Sequence, residues 1–142
     1  MNKILKTFAA CFIGLLPVAT FAKTSEAEQV RKIIDKVNQH WQAENKPEVR
    51  SFWDNAAYHT GNMEAYFLTG NETYRAYSEA WAKHNEWKGA KSNERSQWKY
   101  SYGESDEYVL FGDYQICFQT YADLYNLAPE DYKIKRAREV ME

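Results

Sequence analysis

The chain of 142 residues contains two aromatic-rich stretches that align with one another at a constant offset of 58 residues. Asn55 aligns with Asp113 and Tyr74 with Tyr132. Each copy predicts a mostly apolar helix, a tight turn and an amphipathic helix. Because a single helical hairpin cannot bury its own apolar face, a repeat of this length indicates stacked hairpins. We therefore predict an all-α fold whose hairpins surround a shared hollow.

Two kinds of helix alternate along the predicted fold. Residues 54–68 and 113–126 are apolar on nearly all sides, which is typical of buried, inner helices. Residues 26–44, 74–86 and 129–142 have one apolar face and are predicted as outer helices. Apolar stripes define the first and last of these: Val30, Ile33, Ile34, Val37 and Trp41 in one, and Tyr132, Ile134, Ala137 and Met141 in the other.

Helix boundaries are marked by local signals. Ser25 and Glu28 have the spacing of a capping box. Gly70 is suited to a left-handed position after a helix, and Asn71 can cap the helix that follows. Pro129 is predicted at a first helical position.

Residues 88–110 form a long polar connection between the two copies. Connections of this length in compact domains are usually functional or disordered. The aromatic residues Trp98, Tyr100 and Tyr102 favour an ordered loop, with a short extended piece near residues 98–102.

Residues 1–22 have the pattern of a secretory signal peptide. Lys3 and Lys6 precede an apolar core over residues 8–16, and small residues follow up to Ala22. The domain is therefore expected over residues 23–142, in a periplasmic or secreted protein. Lipidation at Cys11 is the weaker alternative.

Composition excludes several classes of function. The formal net charge is −2 and no dense basic stripe is present, which argues against a nucleic-acid partner. Cys117 is the one cysteine after the leader, so a disulfide framework is excluded. The three histidines, His40, His59 and His84, have no second ligand at metal-binding spacing. We expect no metal and no cofactor, because glycine-rich phosphate loops are also missing from the sequence.

The candidate functional residues lie near the starts of the two inner helices. Asp113 is either a helix cap or a carboxylate in an aromatic cup that could serve acid chemistry. Asn55 holds the matching place in the first copy and could cap its helix or contact substrate. His59 could be a core histidine or a substrate ligand. Trp53 and Tyr58 could pack in the core or stack on a sugar ring.

Three segments resemble the unsaturated uronyl hydrolases of glycoside hydrolase families 88 and 105. They are residues 52–55, the turn at residues 69–72, and above all residues 113–125, which read DYQICFQTYADLY. The resemblance covers most of residues 26–142. It implies an (α/α)6 barrel, a toroid of six helical hairpins, of which this chain matches the first part.

The resemblance also implies a reaction and roles for residues. The family's substrates are oligosaccharides whose terminal uronic acid has a C4=C5 double bond, left by a polysaccharide lyase. An acid protonates C4, water adds at C5, and the resulting hemiketal opens to release the sugar. Asp113 matches the family's second functional aspartate, whereas the main acid lies on a later inner helix, so the chain alone is expected to be inactive. The alternatives are a non-catalytic module that binds glycan or protein and, less strongly, an epimerase or lyase on the same barrel.

Overall fold

The computed structural model describes residues 25–142, which fold into five α-helices and three short 3₁₀ turns. The helices are α1 (Glu26–Glu44), α2 (Trp53–Thr69), α3 (Glu72–His84), α4 (Cys117–Leu127) and α5 (Lys135–Met141). The 3₁₀ turns are Arg95–Gln97, Gly112–Tyr114 and Asp131–Lys133. No strand occurs in this described range, so the all-α prediction is confirmed. The predicted leader and Cys11 lie outside it.

The inner helices α2 and α4 pack side by side and run in the same direction. The ring of Phe52, just before α2, meets the ring of Tyr114, just before α4, at 4.9 Å. Further along both helices, the hydroxyls of Thr60 and Thr120 are 3.4 Å apart. Because the two contacts occur in the same order along both helices, the helices are parallel and their starts lie at the same end of the molecule.

Helix α3 covers α2 and α4 from outside. Its Trp81 is fully buried and contacts the buried ring of Tyr121 at 5.6 Å. The main core comprises Ala56, Met63, Trp81, Ala82, Trp87, Cys117, Tyr121 and Leu124. Large aromatic rings therefore hold the outer layer onto the inner one.

The predicted boundary signals of α1 and of the first hairpin, formed by α2 and α3, are confirmed. Ser25 Oγ accepts from the backbone N–H of Glu28 at 3.3 Å. Gly70 has φ 70°, and Asn71 Oδ1 accepts from the backbone N–H of Thr73 at 3.1 Å. Local capping chemistry thus ends α2 and starts α3 as the sequence predicts.

The second copy departs from its predicted boundaries. The inner helix starts at Cys117, and Gly112–Tyr114 ahead of it is a 3₁₀ turn, so Asp113 does not cap α4. Pro129 is not helical, because the outer segment begins with the 3₁₀ turn Asp131–Lys133 and becomes α-helical only at Lys135. The repeat therefore preserves the order of segments but not their geometry.

Two cations, rather than the predicted apolar stripe, form the most deeply buried side of the last segment. Tyr132 and Met141 are exposed, whereas Lys133 and Arg136 are 3% and 4% exposed. Lys133 Nζ donates to the carbonyl oxygens of Ala128 at 2.7 Å and Leu124 at 3.4 Å, at the end of α4. A cation there complements the negative end of the helix dipole.

Arg136 ties α5 to the connection between α3 and α4. Its guanidinium donates to the carbonyl oxygens of Ala90 and Ser92, at 3.2 and 3.0 Å, and to Asn93 Oδ1 at 2.8 Å. The remaining nitrogen, Nε, donates to Glu139 at 3.1 Å. A single buried side chain therefore fixes the first part of the long connection.

Helix α1 is attached mainly through polar groups, which the predicted stripe did not indicate. Ile33 and Val37 are exposed, whereas Asn38 is buried. Tyr58 on α2 donates to Asn38 Oδ1 at 3.0 Å, and Gln42 Nε2 donates to Asn62 Oδ1 at 3.2 Å.

Helix α2 is also less enclosed than predicted. Ala57, Gly61 and Leu68 share a face that is exposed within the described residues, so α2 is not buried on all sides. In the same range, every helix is too short or too polar to cross a lipid bilayer.

A sharp bend follows α3 and brings three segments together. Glu86 and Trp87 both have left-handed backbone, with φ 55° and 58°. The next carbonyl, that of Lys88, accepts from Ser51 Oγ at 2.6 Å and from the hydroxyl of Tyr121 at 3.0 Å. Gly89 follows with no room for a side chain, because a Cβ there would lie 1.9 Å from the carbonyl oxygen of Tyr114.

Arg136→Ala is expected to destabilise the domain by about 2–4 kcal/mol, since it leaves buried carbonyl groups without donors. Arg138→Ala, two residues along the same helix, is the matched control because Arg138 is 53% exposed. Urea unfolding of the variants measures the difference. Equal effects of the two substitutions would show that Arg136 does not anchor the connection.

Candidate functional site

The starts of the two inner helices meet at one end of the molecule. The Phe52–Tyr114 ring contact joins the segment before α2 to the 3₁₀ turn before α4. Arg50 lies over the Phe52 ring, with its Cζ atom 4.4 Å from the ring centre. This end therefore brings residues 50–55 next to residues 111–114.

Asp113 lies in the middle of the Gly112–Tyr114 turn and is half-buried. Within residues 25–142 its carboxylate forms no hydrogen bond and no ion pair. The turn therefore presents a carboxylate that is free to contact a ligand.

Asn55 and Trp53 lie in the first turn of α2, at the same end as Asp113. Asn55 Nδ2 donates to the carbonyl oxygen of Arg50 at 3.2 Å, so its side chain supports the entry to the helix. Trp53 is 50% exposed, and its ring is accessible to a ligand. These two residues and Asp113 are the predicted site residues that the fold brings to one end.

Tyr58 faces α1. Its ring stacks on Trp41 with 4.6 Å between ring centres, and Gln42 Nε2 donates to its hydroxyl at 3.2 Å. Burial raises the pKa of Tyr58 to about 12. The hydroxyl therefore stays protonated and links α2 to α1 through hydrogen bonds.

His59 faces α3 and is 2% exposed. Its ring lies against Trp81, with 4.0 Å between centres and planes 10° apart, and its Nδ1 is 3.1 Å from Ser78 Oγ. Burial lowers the pKa of His59 to about 3. The structure thus places this residue in the core, as a neutral imidazole.

Asn55, Tyr58 and His59 border one small cavity of about 20 Å³. A space of this size is comparable to that of a single water molecule and cannot admit a sugar ring. This cavity is therefore too small for a sugar ring, and the predicted site residues at this end that are not buried are Trp53, Asn55 and Asp113.

Arg50 is a charged residue of this end that the sequence did not single out. Its Nη1 donates to Glu104 Oε2 at 2.9 Å, and this bond raises the pKa of Arg50. The negative charges of Glu104 and Asp54 add to the effect. Since residues 50 and 104 are far apart in the sequence, no local pattern could have shown the pair.

The motif of residues 119–125 divides between core and surface. Tyr121 and Leu124 are buried in the core. Gln119 Nε2 donates to Asp123 at 3.3 Å one turn further along α4. Burial is the main cause of a raised pKa for Asp123, which the bond from Gln119 partly offsets.

Among residues 25–142, no group of three or more His, Cys, Asp and Glu side chains could hold a metal ion. Cys117 is buried, and burial raises the pKa of its thiol to about 12. The thiol is therefore a packing group rather than a nucleophile.

Comparisons with known proteins show the family of the chain. The family model of Glycosyl Hydrolase Family 88 matches residues 26–142. The chain belongs to glycoside hydrolase family 88. Its fold is accordingly that of the (α/α)6 barrels, of which it covers a part.

Two solved structures are similar to the chain. A glycosyl hydrolase family 88 protein from Bacteroides vulgatus is 63% identical, with a TM-score of 0.79, and the match covers 81% of this chain and 33% of that one. A structure described as a polysaccharide lyase is 67% identical, with a TM-score of 0.79, over 82% of this chain and 33% of its own. The chain therefore spans about a third of the length of these structures. No protein of curated function gave a significant match.

The buried histidine predicts a pH dependence of stability. The pKa of His59 is about 3 in the fold and about 6.5 in an unfolded chain. Its contribution is therefore fully present above pH 6.5 and is lost as the pH falls from 6.5 toward 3, by about 2 kcal/mol at pH 5. Urea unfolding across this range should show a smaller slope with pH for His59→Gln than for the wild type. His84→Gln, at an exposed position, is the control, and an unchanged slope in His59→Gln would contradict the assignment.

Proposed function

We propose that this chain supplies the first hairpins of an enzyme that hydrates the C4=C5 double bond of unsaturated uronic acid oligosaccharides. Membership of family 88 supports glycoside hydrolysis, and the substrate class rests on the resemblance of residues 113–125 to unsaturated uronyl hydrolases. The observation that supports a role at the site is the unpaired, half-buried carboxylate of Asp113 at the end where both inner helices start.

In the proposed reaction, one water molecule is consumed. A proton is added to C4 of the unsaturated sugar, hydroxide from water is added to C5, and the hemiketal formed at C5 then opens and releases the next sugar. This is the hydration of a vinyl ether, so the spacing rule for the paired carboxylates of ordinary glycosidases does not apply. Asp113 accepts a hydrogen bond from the attacking water or from the uronyl group, and Trp53 offers its exposed ring to the sugar.

We further propose that the 142 residues alone do not turn over substrate. The chain spans about a third of the length of the similar solved structures. The resemblance assigns the main acid to a later inner helix. The leader pattern of residues 1–22 supports a periplasmic or secreted location.

A chimera tests the proposal. Residues 26–142 replace the matching third of the Bacteroides vulgatus protein, where 63% identity favours compatible helix interfaces. The chimera is expected to remove the ultraviolet absorbance of unsaturated uronyl oligosaccharides, while the isolated chain is not. Asp113→Asn should lower kcat by roughly 10²-fold or more, as expected for loss of a group that assists proton transfer or positions water. Asp131→Asn is the control, because Asp131 is an exposed aspartate outside the site.

The same assay separates a second candidate, a lyase. The similar structure described as a polysaccharide lyase favours considering it. A lyase creates the double bond from an intact polysaccharide, so absorbance would rise rather than fall. A rise that depends on Asp113 would replace the proposed hydration with elimination. Binding without any absorbance change would favour a non-catalytic glycan-binding module.

The isolated chain is expected to expose apolar surface that binds a hydrophobic dye. Ile33, Val37 and Leu68 are exposed on one flank, and Met141 is exposed on α5. Large contiguous apolar patches are rare on the surfaces of monomeric proteins. Dye fluorescence should fall in an Ile33→Glu/Val37→Glu variant and stay unchanged in Gln39→Glu, an exposed polar position on the same helix. A monomeric wild type with no dye binding would contradict the expectation.

A further inference from the structure

The connection between α3 and α4 carries two tyrosines that protrude from an otherwise ordered loop. Tyr100 is 79% exposed and Tyr102 is 74% exposed. Within residues 25–142, neither hydroxyl forms a hydrogen bond. Each ring therefore leaves a large apolar surface in contact with solvent.

The loop that carries them is held in place by several independent contacts. Lys99 exchanges backbone hydrogen bonds with the returning segment, donating to the carbonyl oxygen of Glu107 at 2.8 Å and accepting from the N–H of Leu110 at 3.1 Å. Trp98 Nε1 donates to the carbonyl oxygen of Ser92 at 3.1 Å. The two tyrosines are therefore displayed on a fixed support.

The position of the loop relates the tyrosines to the candidate site. The ring of Tyr102 meets the edge of Phe111 at 5.6 Å, and Phe111 is two residues before Asp113. Glu104, two residues after Tyr102, pairs with Arg50 next to the start of α2. The loop tip thus lies beside the end where both inner helices start.

We infer that Tyr100 and Tyr102 form a stacking platform for the sugar rings that follow the terminal uronic acid of the oligosaccharide. The inference rests on the proposed function, since it assumes that the chain binds the same class of substrate. Flat faces of sugar rings present C–H groups that pack well on aromatic rings. The platform extends the site toward the leaving sugar and makes affinity depend on chain length.

Binding of unsaturated oligosaccharides to the 142-residue chain tests the platform without requiring turnover. Isothermal titration compares a disaccharide and a tetrasaccharide that carry the same terminal unsaturated uronic acid. The wild type should bind the tetrasaccharide more tightly than the disaccharide. In Tyr100→Ala/Tyr102→Ala the ratio of tetrasaccharide affinity to disaccharide affinity should fall by roughly tenfold, as expected when two ring contacts are lost. The disaccharide has only one ring after the uronic acid and should therefore lose less affinity than the tetrasaccharide.

Two controls keep the result specific. Tyr100→Phe/Tyr102→Phe keeps both rings and should retain the gain from chain length. Tyr132→Ala removes another exposed tyrosine, whose ring contacts Trp87 at 5.6 Å outside the loop tip, and should also retain the gain. Tyr100→Ala alone, at a side chain without structural partners, covers the case in which the double variant unfolds.

The inference is contradicted if the wild type binds the tetrasaccharide no more tightly than the disaccharide, or if the alanine variants keep the full difference in affinity. Failure of the proposed function gives a different result. In that case the chimera described above leaves the absorbance unchanged, while tetrasaccharide binding to the chain still depends on the two tyrosines.

Discussion

The carbonyl group of Lys88 is the point on which the arrangement of this domain depends. It accepts hydrogen bonds from Ser51, before α2, and from Tyr121, within α4. One backbone oxygen thereby joins the entry to the first inner helix, the bend after α3 and the middle of the second inner helix. The left-handed backbone of Glu86 and Trp87 orients this carbonyl group toward Ser51 and Tyr121. Such conformations cost free energy in residues other than glycine. The surrounding aromatic core must offset that cost.

The first hairpin could be predicted because its signals are local. Gly70 and Asn71 act on their immediate neighbours, and both have the conformation and hydrogen bond that their residue types favour. The second hairpin was predicted less well because its geometry depends on distant partners. Arg136 is buried on carbonyl oxygens more than forty residues away in the sequence, which a count of apolar positions cannot reveal. The apolar stripe of α1 was an incomplete guide for the same reason. Trp41 of the stripe stacks on Tyr58, but hydrogen bonds with polar side chains of α2 also hold the helix.

The sequence predicts the position of the candidate site but not the direction in which each of its side chains points. The repeat placed Asn55 and Asp113 at equivalent positions, and the fold brings both to the same end. The repeat does not indicate that His59 is stacked on Trp81 in the core, or that Tyr58 faces α1. Rotation about the helix axis decides these outcomes, and within an almost wholly apolar helix the sequence contains little information about that rotation. The Arg50–Glu104 pair has no sequence signal at all.

The shared direction of α2 and α4 has an electrostatic consequence. Each helix has partial positive charge at its amino end, and in a parallel pair these partial charges add on one side of the domain. Helix α3 returns in the opposite direction after the short turn at Gly70, and its negative end lies beside the segment before α2, where Asn85 Nδ2 donates to the carbonyl oxygen of Val49 at 2.8 Å. The positive ends of α2 and α4 and the negative end of α3 therefore lie on the same side of the domain and partly offset one another.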